Sequence, residues 1–248
     1  MSKASEVFTP DHWPSSIGIL VSDRRNGVSE APYDSMNVAQ HVGDDSDHVR
    51  ENRELLLRSL PDDIRVAWLN QVHGTQIVEA SASVTAPAKG DALWTSDPLT
   101  ACAIMTADCL PVLFCDAVGH MVAAAHAGWR GLLQGVLRNT VTQMGTTPGE
   151  LFAWIGPAIS QKNFEVGAEV REAFMSEWAF DTTECFLPSA REGAYLADLR
   201  GLAEMQLRAM GVSQITHDDR CSFDNADALF SFRRDGVTGR NVSLIFRH

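Results

Sequence analysis

The sequence predicts an α+β fold shading into α/β: mixed β-sheets with outer helices, in a single compact domain spanning residues 1–248. Three observations carry that expectation. Apolar runs at Leu110–Cys115 and Met121–Ala125 flank Asp116-Ala117-Val118-Gly119, a turn-like stretch, so they read as an antiparallel hairpin. Segments with helical spacing alternate with short apolar runs elsewhere in the chain. There is no internal repeat and no linker-like segment.

Ile17–Ser22 reads as a strand, followed by the turn Asp23-Arg24-Arg25-Asn26-Gly27. Residues 28–42 (VSEAPYDSMNVAQHV) are polar and irregular, and long ordered loops of this kind often carry function. Asp44, Asp45 and Asp47 place negative charge at a helix start, where the macrodipole favours it. Val49, Leu56 and Leu60 mark the buried face of that helix, and Pro61 stops it. Arg65–Leu69 and Thr75–Glu79 are strands on either side of the loop Asn70-Gln71-Val72-His73-Gly74. Ser81–Gly90 reads as a loop and Asp91–Thr95 as extended chain.

Beyond the hairpin, Leu132–Gln143 has helical spacing, and Leu151–Ile155 is a strand ended by Gly156-Pro157. A helix is expected from Phe164 to about Trp178, then irregular chain from Asp181 to Glu192. A further helix, Asp198–Met210, places Gly211 at its C′ position. Gln214–Thr216, Leu229–Arg233 and Val242–Phe246 read as strands, the last two around the Asp235-Gly236 turn.

With 20 basic and 32 acidic residues the net charge is −12, which argues against non-specific binding to nucleic acid or to an anionic membrane. A small anionic substrate needs only local positive charge and stays compatible. The N-terminal stretch has no apolar signal core, and no run approaches membrane-spanning length. Five cysteines, an odd number without a CxxC pair, argue against a disulfide framework. A cytoplasmic location is expected.

The hairpin also carries chemistry. If Cys115 lies opposite Met121, Cys109 falls opposite Ala127 and beside His126, at Cβ separations of ~5 Å. Three readings follow. The pair is a nucleophile and its base; or Cys109 and His126 are metal ligands with His73 as the third, leaving a fourth position open; or a buried cysteine merely adjoins a hydrogen-bonded histidine. After His126, Gly128 and Gly131 open a helix whose first backbone N–H groups, with Arg130 beside them, suit an anion. Arg24, Arg233 and Arg234 are further cations available for anion contact.

The motifs NQVHG (70–74), MTADCLPVLFCD (105–116), AAAHAGWRG (123–131), AWIGPAIS (153–160), FEVGAEV (164–170) and FSFRRDGVTGR (230–240) resemble the bacterial laccase-domain family. NGVSEAPYDSMNV (26–38) and HVGDD (41–45) extend the resemblance over nearly the whole chain. The family has been called polyphenol oxidase or laccase, and its members are described as purine nucleoside phosphorylases with adenosine deaminase activity. Some are linked to peptidoglycan precursor editing. The resemblance implies a fold shared with cysteine-hydrolase-like toxins and a single zinc site built from His73, Cys109 and His126, with copper as the alternative metal.

Two checks bear on those names. Eight histidines without one His-x-His pair do not suit a multicopper centre. The H-x-E and P-C-x-x-C signature of zinc deaminases is absent. The resemblance implies phosphorolysis of adenosine, inosine and S-methyl-5′-thioadenosine, with adenosine deamination as a side activity and with purine nucleosides and phosphate as partners. In it, Cys109, His126 and His73 form the centre, Arg130 and Arg24 hold phosphate, and Asn37, Gln71 and Asp108 are polar substrate contacts. The alternatives are a copper-dependent phenol oxidase, a cysteine hydrolase editing peptidoglycan precursors, and a non-enzymatic metal-binding protein. Phe232 stands where the family commonly has tyrosine, and Asn26 where it commonly has glycine.

Overall fold

The structure, a computed structural model, describes residues 6–81 and 87–248. The middle of the expected 81–90 loop lies outside the described residues, as do residues 1–5. Two mixed sheets dominate. The first has the order Ile17–Val21, Asn241–Arg247, Thr100–Thr106, Arg65–Ala67, with only its last pairing parallel. The second runs Gln214–His217, Leu151–Ile155, Leu110–Asp116, Val122–Ala127, Ala92–Thr95, Ile77–Glu79, antiparallel inside and parallel at both edges.

Strand alternation explains how the sheets stack. Ile17, Ile19, Cys102, Ile104 and Ile245 of the first sheet meet Leu113, Cys115, Ala124 and Trp154 of the second in one core. Their neighbours point the other way. Val112, Phe114, Ala123 and Ala125 pack under the helices Val136–Met144, Leu199–Ala209 and Ala168–Glu177. Leu20, Ala103, Met105, Leu244 and Phe246 pack with Met36, Val38 and Leu56, the last from the helix Ser46–Leu57. The order of layers is helix, sheet, sheet, helix, as the mixed-sheet reading anticipates. The central strands are buried on both faces, so they appear in the sequence as unbroken apolar runs.

The expected irregular stretch 181–192 contains the strand Phe186–Pro188 and the expected 81–90 loop the strand Ala88–Lys89, and four further local expectations fail for a physical reason. The hairpin register is shifted by one: Cys115 pairs with Val122 and Leu110 with Ala127. Asp116 Oδ1 accepts the backbone N–H of both His120 and Met121, drawing Met121 into the turn. The expected helix Leu132–Gln143 is two helices, Trp129–Gln134 and Val136–Met144, broken at Gly135 with φ 91°. Glu165–Gly167 is a strand paired with Ala194–Ala197, and the helix starts only at Ala168. The expected strand Leu229–Arg233 is replaced by a short helix, Phe232–Asp235, capped by the Ser231 hydroxyl accepting the Arg234 N–H at 3.2 Å.

A candidate metal centre at the end of the hairpin

The centre is organised by a carboxylate. Asp91 is fully buried and directly precedes the strand Ala92–Thr95. It accepts the backbone N–H groups of His73 at 2.8 Å and Gly74 at 2.7 Å, which closes the 70–74 loop onto the sheet. Its Oδ1 also lies 2.9 Å from His126 Nδ1. One buried acid therefore fixes both the loop carrying His73 and the ring of His126, and leaves His126 Nε2 free to act as a ligand. Burial would push the Asp91 carboxyl up, but the His126 ring and the loop amides outweigh it and hold the group below its ordinary value.

Cys109 reaches the same point from the turn after strand Thr100–Thr106. Asp108 before it has φ 92°, a left-handed backbone that a non-glycine residue rarely adopts. The conformation is held from outside: Ser222 Oγ donates to Asp108 Oδ1, and the Arg233 N–H to Oδ2, each at 2.6 Å. His73 is also left-handed, with φ 60°, and Asp91 holds it. Two of the three converging residues thus depend on backbone that is strained locally and fixed by distant partners.

Ligand atoms of His73, Cys109 and His126 all lie within 4.8 Å of one another. The two imidazoles meet edge to face, with centroids 4.8 Å apart. Gly128 completes the geometry by having no side chain. A Cβ there would stand 3.0 Å from Cys109 Sγ, 3.2 Å from His73 Cδ2 and 3.6 Å from His126 Nε2, inside the space the three enclose. Its φ of −63° is ordinary, so space and not backbone freedom explains this glycine.

The electrostatics match a thiolate donor. Burial would push the Cys109 thiol up, yet the charges and hydrogen bonds of His126 and His73 bring it down to about 6. His126 moves the other way. Burial opposes its charge, but Cys109 and Asp91 raise it to about 9. A thiolate with two imidazoles, one oriented by a carboxylate, fits a divalent metal such as zinc with one position left open. The donor set passes that test on ligand type, convergence and space.

The tripod opens into a cavity of about 240 Å³ whose wall includes His41, Gln71, Phe232 and Arg240. Arg240 Nη1 donates to the carbonyls of Thr238 and Gly239, each at 2.9 Å. Among the described residues no carboxylate forms an ion pair with it. Neither Arg240 nor Asp91 stands out in the sequence reading. The placing of an acidic residue directly before the extended segment Ala92–Thr95 was the signal available for Asp91. For Arg240, which follows a turn distant in sequence, nothing local distinguishes a cavity cation from a solvated one.

The other sequence candidates are placed differently. Gln71 lies in the wall, but its amide is paired with the Met105 backbone, donating to O and accepting from N, each at 2.8 Å. Asn37 is fully buried and ties Ala39, Asp44 and Arg240 backbone or side-chain groups together. Asp108 positions Cys109, with its carboxylate turned to Ser222 and Arg233. Arg24 donates to the carbonyls of Asp34 and Ala226, each at 3.0 Å, lies over Phe230, faces Asp34 and Asp235, and lines a cavity separate from that of the tripod. Arg130 is exposed, stacked 4.4 Å from the Trp129 ring centroid, and is not part of the cavity wall. Arg233 and Arg234 likewise bind backbone carbonyls. No helix among the described residues is long and apolar enough to cross a membrane.

Fold and site together define a four-layer α/β protein with a two-histidine, one-cysteine cluster that could hold a metal ion, facing a cavity. The chain belongs to the family described as multi-copper polyphenol oxidoreductase laccase, which matches residues 18–248. It is 47% identical to a Pseudomonas aeruginosa protein named purine nucleoside phosphorylase PA4543, over 96% of this chain and 97% of that one. It is 45% identical to the Escherichia coli protein named purine nucleoside phosphorylase YfiH, over 98% and 99% of the two chains. The crystal structure of Neisseria meningitidis protein NMB0706 superposes with a TM-score of 0.93 at 42% identity, covering 99% of each chain. That of YlmD from Geobacillus stearothermophilus gives 0.90 at 28% identity, covering 100% of this chain and 97% of that one.

Proposed function

We propose that the protein is a purine nucleoside phosphorylase acting on adenosine, inosine and S-methyl-5′-thioadenosine, with adenosine deamination as a side activity, at a zinc site. The observation that carries this reading is the His73–Cys109–His126 tripod sharing one cavity with a guanidinium, Arg240, that forms no ion pair with a carboxylate among the described residues. Relatives named purine nucleoside phosphorylase at 45% and 47% identity support the reaction class.

In phosphorolysis a phosphate oxygen forms a bond to the anomeric carbon of ribose. The glycosidic bond breaks, and its electron pair leaves with the purine. Arg240 is the group in this cavity suited to hold and orient the phosphate dianion, a role the sequence assigned to Arg130 and Arg24. Phe232 offers a ring face at the mouth for the base or sugar. Zinc, when bound, supplies a Lewis-acidic position that can acidify a water, chemistry suited to hydrolytic deamination.

A second reading, copper-dependent phenol oxidation, is favoured by one observation: two imidazoles and a thiolate are also a copper donor set. The Asp91–His126–Cys109 line also resembles a hydrolase relay, but a nucleophile and base leave the converging His73 without a role. Metal analysis of the purified protein, followed by an inosine assay with and without phosphate, tests all three. Stoichiometric zinc and phosphate-dependent release of hypoxanthine are expected. Base release indifferent to phosphate overturns phosphorolysis. Bound copper with oxygen-dependent phenol turnover supports the second reading.

A further inference from the structure

The space in front of the tripod continues past His41. His41 and Met105 also line a second cavity of about 310 Å³, which shares Gln40, Arg53 and Trp68 with a third of about 180 Å³. The three cavities adjoin through these shared residues and form a cleft-like row from Cys109 toward the first sheet's edge strand, Arg65–Ala67. Arg240 lines only its tripod end, and Arg53 only the far part.

Arg53 comes from the helix Ser46–Leu57. Its Nε donates to the Val38 carbonyl at 2.8 Å, and its guanidinium lies 4.0 Å over the Trp68 ring. Those contacts fix the plane of the fork. They use one of five N–H donors, and among the described residues neither terminal nitrogen has a hydrogen-bond acceptor. Among the described residues no carboxylate forms an ion pair with Arg53. Burial without a countercharge pulls its pKa down to about 10.

The contrast with the rest of the chain is informative. Acidic residues outnumber basic ones 32 to 20, and most part-buried arginines here face a carboxylate or saturate backbone carbonyls. Arg53, on which burial is the sole influence, is electrostatically costly until an anion arrives, whereas Arg240 already feels the charges of Cys109 and Asp108. His41 lies where the two cavities meet, and after burial the charges of Arg240 and Arg53 are what lower its pKa.

We propose that Arg53 forms a second anion subsite, and that the cleft binds purine nucleosides bearing a phosphate monoester, the nucleoside 5′-monophosphates, in preference to the uncharged nucleosides. A fixed fork with two free terminal nitrogens matches the paired oxygens of a phosphate monoester. The nucleoside part rests on the phosphorylase reading above. Inorganic phosphate keeps the Arg240 end, and the esterified phosphate takes the Arg53 end.

The test is calorimetric binding of inosine and of inosine 5′-monophosphate to the metal-loaded full chain, without inorganic phosphate so that no turnover occurs. Wild type should bind the monophosphate at least ~10-fold more tightly than inosine. Arg53→Met, which keeps an apolar stem over Trp68, should bring that ratio close to one, and Arg53→Lys should restore part of it. The wild-type preference should also shrink as salt is raised. Equal binding of the two compounds by wild type, or an unchanged ratio in Arg53→Met, overturns the proposal. If the ratio is one and inosine binds, and a separate assay with added phosphate shows its phosphorolysis, the subsite alone fails. If neither compound binds, the nucleoside reading fails with it. Should Arg53→Met not fold, the wild-type ratio and Arg53→Lys still decide the outcome.

Discussion

Cys109 and Cys115 lie six residues apart at the two ends of one strand, and their chemistry is opposite. Cys115 is fully buried between the two sheets, among Leu113, Val122 and Trp154. Burial, with a smaller push from the Asp116 charge, drives its thiol up and leaves it a small hydrophobe. Cys109 faces the same penalty from burial, but two imidazoles reverse it. The difference lies outside the strand: in a loop fixed by Asp91 and a turn fixed by Ser222 and Arg233. Reactivity is conferred by what converges on a cysteine, and the segment that carries it says little.

The hardest test of that contrast is removal of each thiol. Cys109→Ala should lose bound zinc, from stoichiometric to background by metal analysis, and with it phosphate-dependent base release. Cys115→Ala should keep both and show only a lower melting temperature, from the small void left in the inter-sheet core. Zinc and turnover surviving in Cys109→Ala would break the comparison outright.

Alkylation of the metal-stripped protein sharpens it. The rate at Cys109 should rise as pH increases through about 6, the pKa at which its thiolate forms, and then level off. An ordinary thiol would keep gaining up to about pH 8.5. Cys102 and Cys115, both pushed up by burial, should stay unmodified until the protein unfolds. Added zinc should protect Cys109. Peptide mapping by mass spectrometry reads each site separately, and a Cys109 midpoint near 8.5 would contradict the proposed influence of the histidines.

Asp91 is the next lever, because it acts on the tripod without joining it. Asp91→Asn keeps the shape but removes the charge and one acceptor from a carboxylate shared by His126 and two loop amides. Metal affinity should fall ~10–100-fold, the usual cost of losing an oriented partner behind a ligating histidine. A competition titration against a chelator measures this. An unchanged affinity would mean that the 70–74 loop and the His126 ring hold themselves.

These same contacts show which parts of the molecule were legible in the sequence. The central strands were, because burial on both faces leaves unbroken apolar runs. The convergence of Cys109 with His126 was foreseen although the register was one residue off. Pairing Leu110 with Ala127 sets Pro111 opposite His126, two residues from Cys109, so the two still meet. Glu165–Gly167 was misread because Ala168–Glu177 continues its apolar pattern; only its partner strand Ala194–Ala197 makes it extended. Arg24 and Asn37 looked like substrate contacts because they are polar residues in or beside a long loop. Their partners, Phe230, Ala226 and Arg240, lie some 200 residues away, and no local pattern reveals these contacts. Arg240 was hidden for the converse reason: its lack of a carboxylate partner is a property of the folded neighbourhood.

Phe232 provides the mildest test. Its ring is 58% exposed, it lines the cavity, and the Arg240 guanidinium lies 5.9 Å from its centroid. Phe232→Tyr adds a hydroxyl that requires no repacking, so stability should change by no more than about 0.5 kcal/mol. Zinc content should be unaltered, because the ring supplies none of the three converging ligand atoms. If the hydroxyl reaches the nucleoside, one added hydrogen bond is worth about 0.5–1.5 kcal/mol, a fall in KM of roughly 2- to 10-fold. Steady-state kinetics with inosine separate the outcomes. A lower KM at constant kcat places the contact on bound substrate throughout the reaction. An equal rise in kcat and kcat/KM would mean that the hydroxyl is engaged only at the transition state, and would bring Phe232 from the rim of the cavity to its chemistry.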